Sequence, residues 1–183
     1  MSLEEFKNLN LEELYKYTKE KIEYGWVDTK GKKHYGSNNN DLEYHLQKPE
    51  ETIERNIAIC WDKTELLRYY FESNKYEDIK TYLIYLYITD DYCPSHSIIT
   101  YKKNNEYIWF EASQGMEGIR KYKKEEELLK DLKRLFIEDL IVNDMVDKDN
   151  DFSKLVCYKY KKPTFSIKGS AFYNHARTGK KVI

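Results

Sequence analysis

Glycine and proline are scarce in this 183-residue chain, at seven and three residues, which excludes collagen-like and Pro/Gly-rich low-complexity classes. Cysteine is also scarce. The three thiols at positions 60, 93 and 157 are odd in number and follow no tight spacing, so a disulfide framework is excluded and free thiols in a reducing compartment are expected. No run of about eighteen apolar residues exists to cross a bilayer, and "MSLEEFKNLN" lacks the basic-then-apolar pattern of an export signal. A cytoplasmic protein without a membrane partner is therefore expected. There is no internal repeat and no linker, and the length suits a single domain spanning residues 1–183.

What the chain does contain is enough to fold: 40% hydrophobic and 34% charged residues, with eighteen tyrosines that combine an apolar body with a polar tip. The formal net charge of -1 hides an asymmetry. From Lys154 to Ile183 there are eight basic residues and no acidic one, leaving the first 153 residues at -9. A basic end of this kind fits either a nucleic-acid partner or packing against acidic stretches of the same chain, such as "EDLIVNDMVDKDND". The second is favoured, because no recognisable nucleic-acid-binding module accompanies the charge.

Local signals give a coarse map. Asn10 with Glu13 forms a capping box for a first helix, which Gly25 is expected to stop. "GWVDTKGKKHYGSNNND" reads as a hairpin about Gly31 followed by a loop, and Pro49 opens a short helix. Leu66, Leu67, Tyr70 and Phe71 recur on one face of a central helix. "IKTYLIYLYI", "HSIITY" and "EYIWFE" read as strands, the last two as a hairpin. Leu128 to Leu140 mark a long amphipathic helix, "KLVCYKY" an edge strand, and Ser170 to Gly179 a capped helix. The fold class expected is α+β, with the central helix packed on an antiparallel sheet and further helices at the periphery.

Chemistry concentrates on "IAICWDKTELLRYYF". Cys60 stands at the start of the central helix, where backbone N–H groups and the positive dipole end favour a thiolate. "DKTE" offers a capping box of its own, which would begin the helix two residues later. Asp62 is read as an ordinary first-turn acid rather than a charge aimed at the sulfur. A nucleophilic cysteine needs a base and an orienting acceptor, and His96 and Glu111 sit on the two strands of the expected hairpin. A four-residue loop Lys102–Asn105 would pair them directly. A two-residue loop Asn104–Asn105 would place them diagonally on one face, and an odd loop would separate them.

"CWD" at 60–62, "SHSIITY" at 95–101 and "YIWFEAS" at 107–113 resemble the cysteine, histidine and acid blocks of the transglutaminase-like branch of the papain-like cysteine protease superfamily. The resemblance covers about residues 24–113 and keeps the order Cys, His, acid. It implies a papain-like fold and a Cys60-His96-Glu111 triad for thiol-dependent acyl transfer or amide hydrolysis on a protein or peptide substrate. Trp26 and Trp61 are implied as oxyanion- or substrate-binding residues. Two features depart from the family pattern: glutamate replaces the usual aspartate, adding a methylene, and Ala58 and Ile59 stand where a glycine is common.

The competing expectation is a noncatalytic binding module on the same scaffold, holding a protein or a nucleic acid. "CPSH", Cys93 to His96, has the spacing of half a zinc site but no second half, so no metal and no cofactor are expected. Cys93 and Cys157 are expected as packed thiols, Trp61, Trp109 and Phe110 as core aromatics, and His34, His45 and His175 in surface or capping roles. The sequence does not select an oligomeric state.

Overall fold

The capping box expected at Asn10 forms: its side chain accepts from the Glu12 and Glu13 amides at 3.0 Å each, and the Glu13 carboxylate accepts from the Asn10 amide at 2.8 Å. The computed structural model that shows this describes residues 1–36, 43–90, 92–113 and 115–183. The loop expected after the Gly31 hairpin falls largely at 37–42, outside the described residues.

The helices are α1 (Leu3–Lys7), α2 (Leu11–Glu20), α3 (Pro49–Arg55), α4 (Cys60–Ser73), α5 (Glu125–Val142) and α6 (Gly169–Arg177). The strands are β1 (Glu23–Val27), β2 (Lys33–Tyr35), β3 (Ile57–Ala58), β4 (Glu77–Leu86), β5 (Ser95–Lys103), β6 (Glu106–Glu111), β7 (Gly118–Tyr122), β8 (Leu155–Tyr160) and β9 (Lys180–Lys181). The fold is α+β. Its main sheet has six antiparallel strands in the order β7-β6-β5-β4-β8-β9, and a smaller sheet runs β2-β1-β3. No helix among the described residues is long and apolar enough to cross a membrane.

Strand alternation divides the core into two layers about the main sheet. Ile99, Tyr101, Ile108 and Phe110 face α4, where they meet Leu66, Leu67, Tyr70 and Phe71. Tyr82, Ile84, Ile98 and Trp109 face α5, where they meet Leu128, Leu132, Phe136 and Leu140. A third cluster, with Trp26, Tyr44, Cys60, Trp61 and Phe172, joins the start of α4 to α6.

Two expectations are corrected. Gly25 does not stop a helix: α2 ends at Glu20, and Gly25 lies inside β1, where a Cβ would collide with the carbonyl oxygen of His34 on β2. Close approach of two backbones, not helix termination, explains that glycine. "KLVCYKY" is not an outermost strand, because β8 runs between β4 and the two-residue β9. The basic end meets acids of its own chain outside "EDLIVNDMVDKDND": Lys159 pairs with Glu125 at 3.2 Å and Lys162 with Glu72 at 2.7 Å.

Candidate functional site

Cys60 is the first residue of α4 and Ile59 its cap. The "DKTE" box does not start the helix. Instead Asp62, at the third helical position, turns its carboxylate back to accept from the Ile59 amide at 3.2 Å, the Gln47 amide at 2.9 Å and the Tyr44 hydroxyl at 2.9 Å. Asp62 therefore serves the helix start and not the sulfur. Burial pushes its carboxyl up to about 6, against the opposing pull of those donors. The first helical hydrogen bond runs from the Lys63 amide to the Ile59 carbonyl, so the amides of Cys60 and Trp61 precede the helical ladder.

His96 and Glu111 meet. The β5–β6 turn is two residues long, with Asn104 at φ 52° and Asn105 at φ 67°, the left-handed pair that a type I′ hairpin requires. Lys103 faces Glu106 and the ladder ends at Ile99 opposite Phe110. Continuing that register sets Glu111 opposite Ile98, so His96 and Glu111 are diagonal neighbours on one face. The His96 Nε2–Glu111 Oε2 distance is 2.8 Å. Beyond Ile99 no β6 residue is paired with β5, while β4 still accompanies it, with Ile84 opposite His96. At this open end the Cys60 sulfur lies close enough to act on the imidazole, and with Nε2 on Glu111 the ring atom left for sulfur is Nδ1. Burial pulls the imidazole pKa down, but the Glu111 carboxylate and the Cys60 sulfur outweigh it and raise it to about 10.

Glu111 is held on every side. Its Oε2 also accepts from the Trp109 indole Nε1 at 3.3 Å, and its Oε1 accepts from the Ser113 amide at 2.8 Å. Trp109 was readable as a candidate, since it precedes Glu111 by two on the same strand and so shares its face. Lys63 lies one turn after Cys60, 4% exposed, with its Nζ 3.5 Å from the Ala112 carbonyl. Its ammonium is pulled down by burial and pushed back up by Glu111, Cys60 and Glu117. Burial also pushes up the Tyr24 phenol, with Cys60 first among the charges acting on it. Burial raises the Asp139 carboxyl on α5, opposed first by His96. Tyr24 and Asp139 carry no signal in the sequence, because only tertiary packing brings them to the triad.

The two other expected site residues are enclosed in aromatic packing. Trp26 on β1 is 3% exposed, stacks on His34 at a 4.1 Å centroid distance, and shares a cluster with Cys60. Trp61 stacks on Phe172 at 4.4 Å and meets Tyr44 and Tyr173 edge-on, and its indole Nε1 has no hydrogen-bond partner among the described residues. Tyr173 in turn donates to the Cys93 carbonyl and meets the Ser95 hydroxyl, both at 2.9 Å, tying α6 to the start of β5.

The remaining histidines and thiols are accounted for separately. His34 has a partner that the sequence did not indicate, Asp28, at 3.0 Å. His175 donates to the Lys161 carbonyl at 2.7 Å, while the buried His45 Nδ1 has no partner among the described residues. The "CPSH" pair diverges: Cys93 Sγ lies 3.6 Å from the Thr89 carbonyl, whereas His96 turns to Glu111. Among the described residues no group of three or more His, Cys, Asp or Glu side chains is arranged to hold a metal ion. Cys157 is buried, and desolvation drives its thiol far up. No model of a known protein family matches the chain, and no characterised protein matches it.

Proposed function

We propose that this protein is a thiol-dependent enzyme of acyl transfer or amide hydrolysis, acting on a protein or peptide through Cys60, His96 and Glu111. One observation carries the reading: an imidazole fixed at Nε2 by a carboxylate 2.8 Å away, its pKa raised by that carboxylate and by a sulfur at the start of the central helix. The arrangement resembles the transglutaminase-like branch of the papain-like superfamily, with the nucleophile opening a central helix and base and acid on adjacent antiparallel strands.

In the reaction proposed, the Cys60 thiol gives its proton to His96 and the sulfur attacks a carboxamide or peptide carbonyl carbon. The carbonyl π pair moves onto oxygen, where the amides at the start of α4 stabilise the negative charge. Collapse of the adduct breaks the C–N bond, His96 returns the proton to the departing amine, and a thioester remains on Cys60. Attack by water then yields an acid, attack by a second amine yields a new amide, and either restores the thiol. Glu111 stabilises the imidazolium and fixes the ring orientation throughout. Cys60 is 3% and His96 6% exposed, which suits a substrate arriving as a narrow side chain or extended backbone.

Incubation with a panel of peptide esters and amides, read by intact mass, tests the reading. An acyl adduct mapped to Cys60, and absent from Cys60→Ser, is expected. No adduct, with Cys60 alkylating no faster than Cys93 near neutral pH, overturns the reading and leaves a noncatalytic binding module.

A further inference from the structure

Beside the triad lies a cavity of about 260 Å³, walled on its buried side by Lys63, Ala112 and Tyr24 and carrying Glu20, Glu23 and Glu117 towards solvent. At that volume it falls below the range of pockets for drug-sized molecules or cofactors, and it fits one or two residues of a peptide. Lys63 is the buried charge in its wall. The residue is 4% exposed, and its spacing of three from Cys60 sets both on one face of α4. An ammonium has three donors, yet the hydrogen bond recorded for this one is the 3.5 Å approach to the Ala112 carbonyl, at the outer limit of the interaction. Among the described residues no carboxylate forms an ion pair with it. A buried ammonium in that position needs a further acceptor, and the cavity is where one can enter.

The mouth decides which acceptor. Glu20 and Glu23 are exposed and Glu117 half-buried, and among the described residues none of the three forms an ion pair. The other cation of the lining, Lys19, sits over the Tyr15 ring at 5.8 Å. A ligand carboxylate would satisfy Lys63 only after passing three like charges, whereas a neutral carbonyl satisfies it without that repulsion, and cationic groups on either side gain from the rim.

We infer that this cavity is the acyl-donor subsite, with Lys63 donating to an uncharged peptide carbonyl or carboxamide and Glu20, Glu23 and Glu117 selecting peptides with basic flanks. The inference rests on the reading of Cys60 as the nucleophile.

The experiment uses Cys60→Ala protein, which binds without reacting, and two fluorescent probes, acetyl-Lys-Gln-Lys-amide and acetyl-Glu-Gln-Glu-amide, followed by anisotropy at low salt. The basic probe should bind about tenfold tighter or better, with the margin shrinking as salt rises. The double substitution Glu20→Lys, Glu23→Lys, at two exposed side chains, should abolish or invert the preference. Lys63→Met should weaken the basic probe about tenfold if its thermal unfolding stays cooperative. Failure of both probes to bind, equal binding, or a preference indifferent to the rim substitutions overturns the subsite. Acylation of Cys60 by simple esters without any probe preference defeats the subsite alone. Probe preference without acylation supports the peptide cleft and defeats the catalytic reading.

Discussion

Glu111 reaches His96 across a diagonal of the β5–β6 pair, not from the position opposite it. Diagonal neighbours in an antiparallel ladder stand about 7–8 Å apart, against about 4.5–5.5 Å for a direct pair. The extra methylene of glutamate supplies reach that an aspartate in this register would lack. Glu111→Asp is therefore expected to lose the 2.8 Å contact, and Glu111→Gln to keep the reach but lose the charge. Both should move the His96 titration from about 10 towards 6.5, read by NMR of the ring protons. Acylation should fall by about 10²–10⁴ in the aspartate variant, the scale of a lost base function. An aspartate variant whose His96 titrates like the native ring would refute the reach argument.

The raised His96 pKa also sets a direction for stability. Its folded value of about 10 lies above the 6.5 of the free side chain, so the folded state binds the proton more tightly. That contribution is complete below about 6.5 and is lost as pH rises towards 10. Denaturant midpoints measured across this window should fall for the native protein and fall less steeply for His96→Gln. Parallel slopes in the two proteins would rule out the coupling.

Asn104 and Asn105 hold the hairpin register that makes the diagonal possible. Replacing either by valine forces a β-branched residue into left-handed backbone at about 1–2 kcal/mol, so the melting temperature should drop by several degrees. Asn104→Gly should be tolerated. Deleting Asn105 changes the parity of the turn and sends Glu111 to the opposite face from His96 unless a bulge forms. That deletion should abolish Cys60 acylation while leaving far-UV circular dichroism close to native.

Asp62 accepts from three buried donors at the start of α4. Asp62→Ala leaves all three without an acceptor, at about 1–3 kcal/mol each. Chemical denaturation should show a loss of about 3 kcal/mol or more. Its raised pKa adds a sign: protonation of the native carboxyl favours folding, so its contribution is complete below about 4 and is lost as pH rises through about 6. That slope should be missing from the variant.

Much of the scaffold was legible because it rests on local rules. The Asn10 box, Pro49 at a helix start, the apolar face of α4 and the alternation in β4 to β6 each name their element directly. What escaped was short or decided at a distance. α1 spans five residues and is set by a Ser2–Glu5 box, too brief for a helical period, and the β7 sequence "GIRKY" is half polar because one of its flanks lacks a strand neighbour among the described residues. Gly25 was misread because its reason, the backbone of His34, lies on another strand. Within the site, spacing brought His96 and Glu111 to one face but left the turn length open. Two left-handed asparagines closed that question. Lys63 carried a readable clue in its spacing from Cys60, whereas Tyr24 and Asp139 arrive from elements remote in the chain.

The bonds from Tyr173 to Cys93 and Ser95 have a reach beyond the helix that makes them. They fasten the final thirty residues to the base of the strand bearing the imidazole, while Phe172 and Tyr173 brace the indole next to the sulfur. The basic tail thus works as a buckle on the neighbourhood of Cys60 and His96. A proteolytic nick after Tyr160 should dull the Cys60 thiol's reactivity before the sheet melts, although the cut lies far along the chain from Cys60, His96 and Glu111.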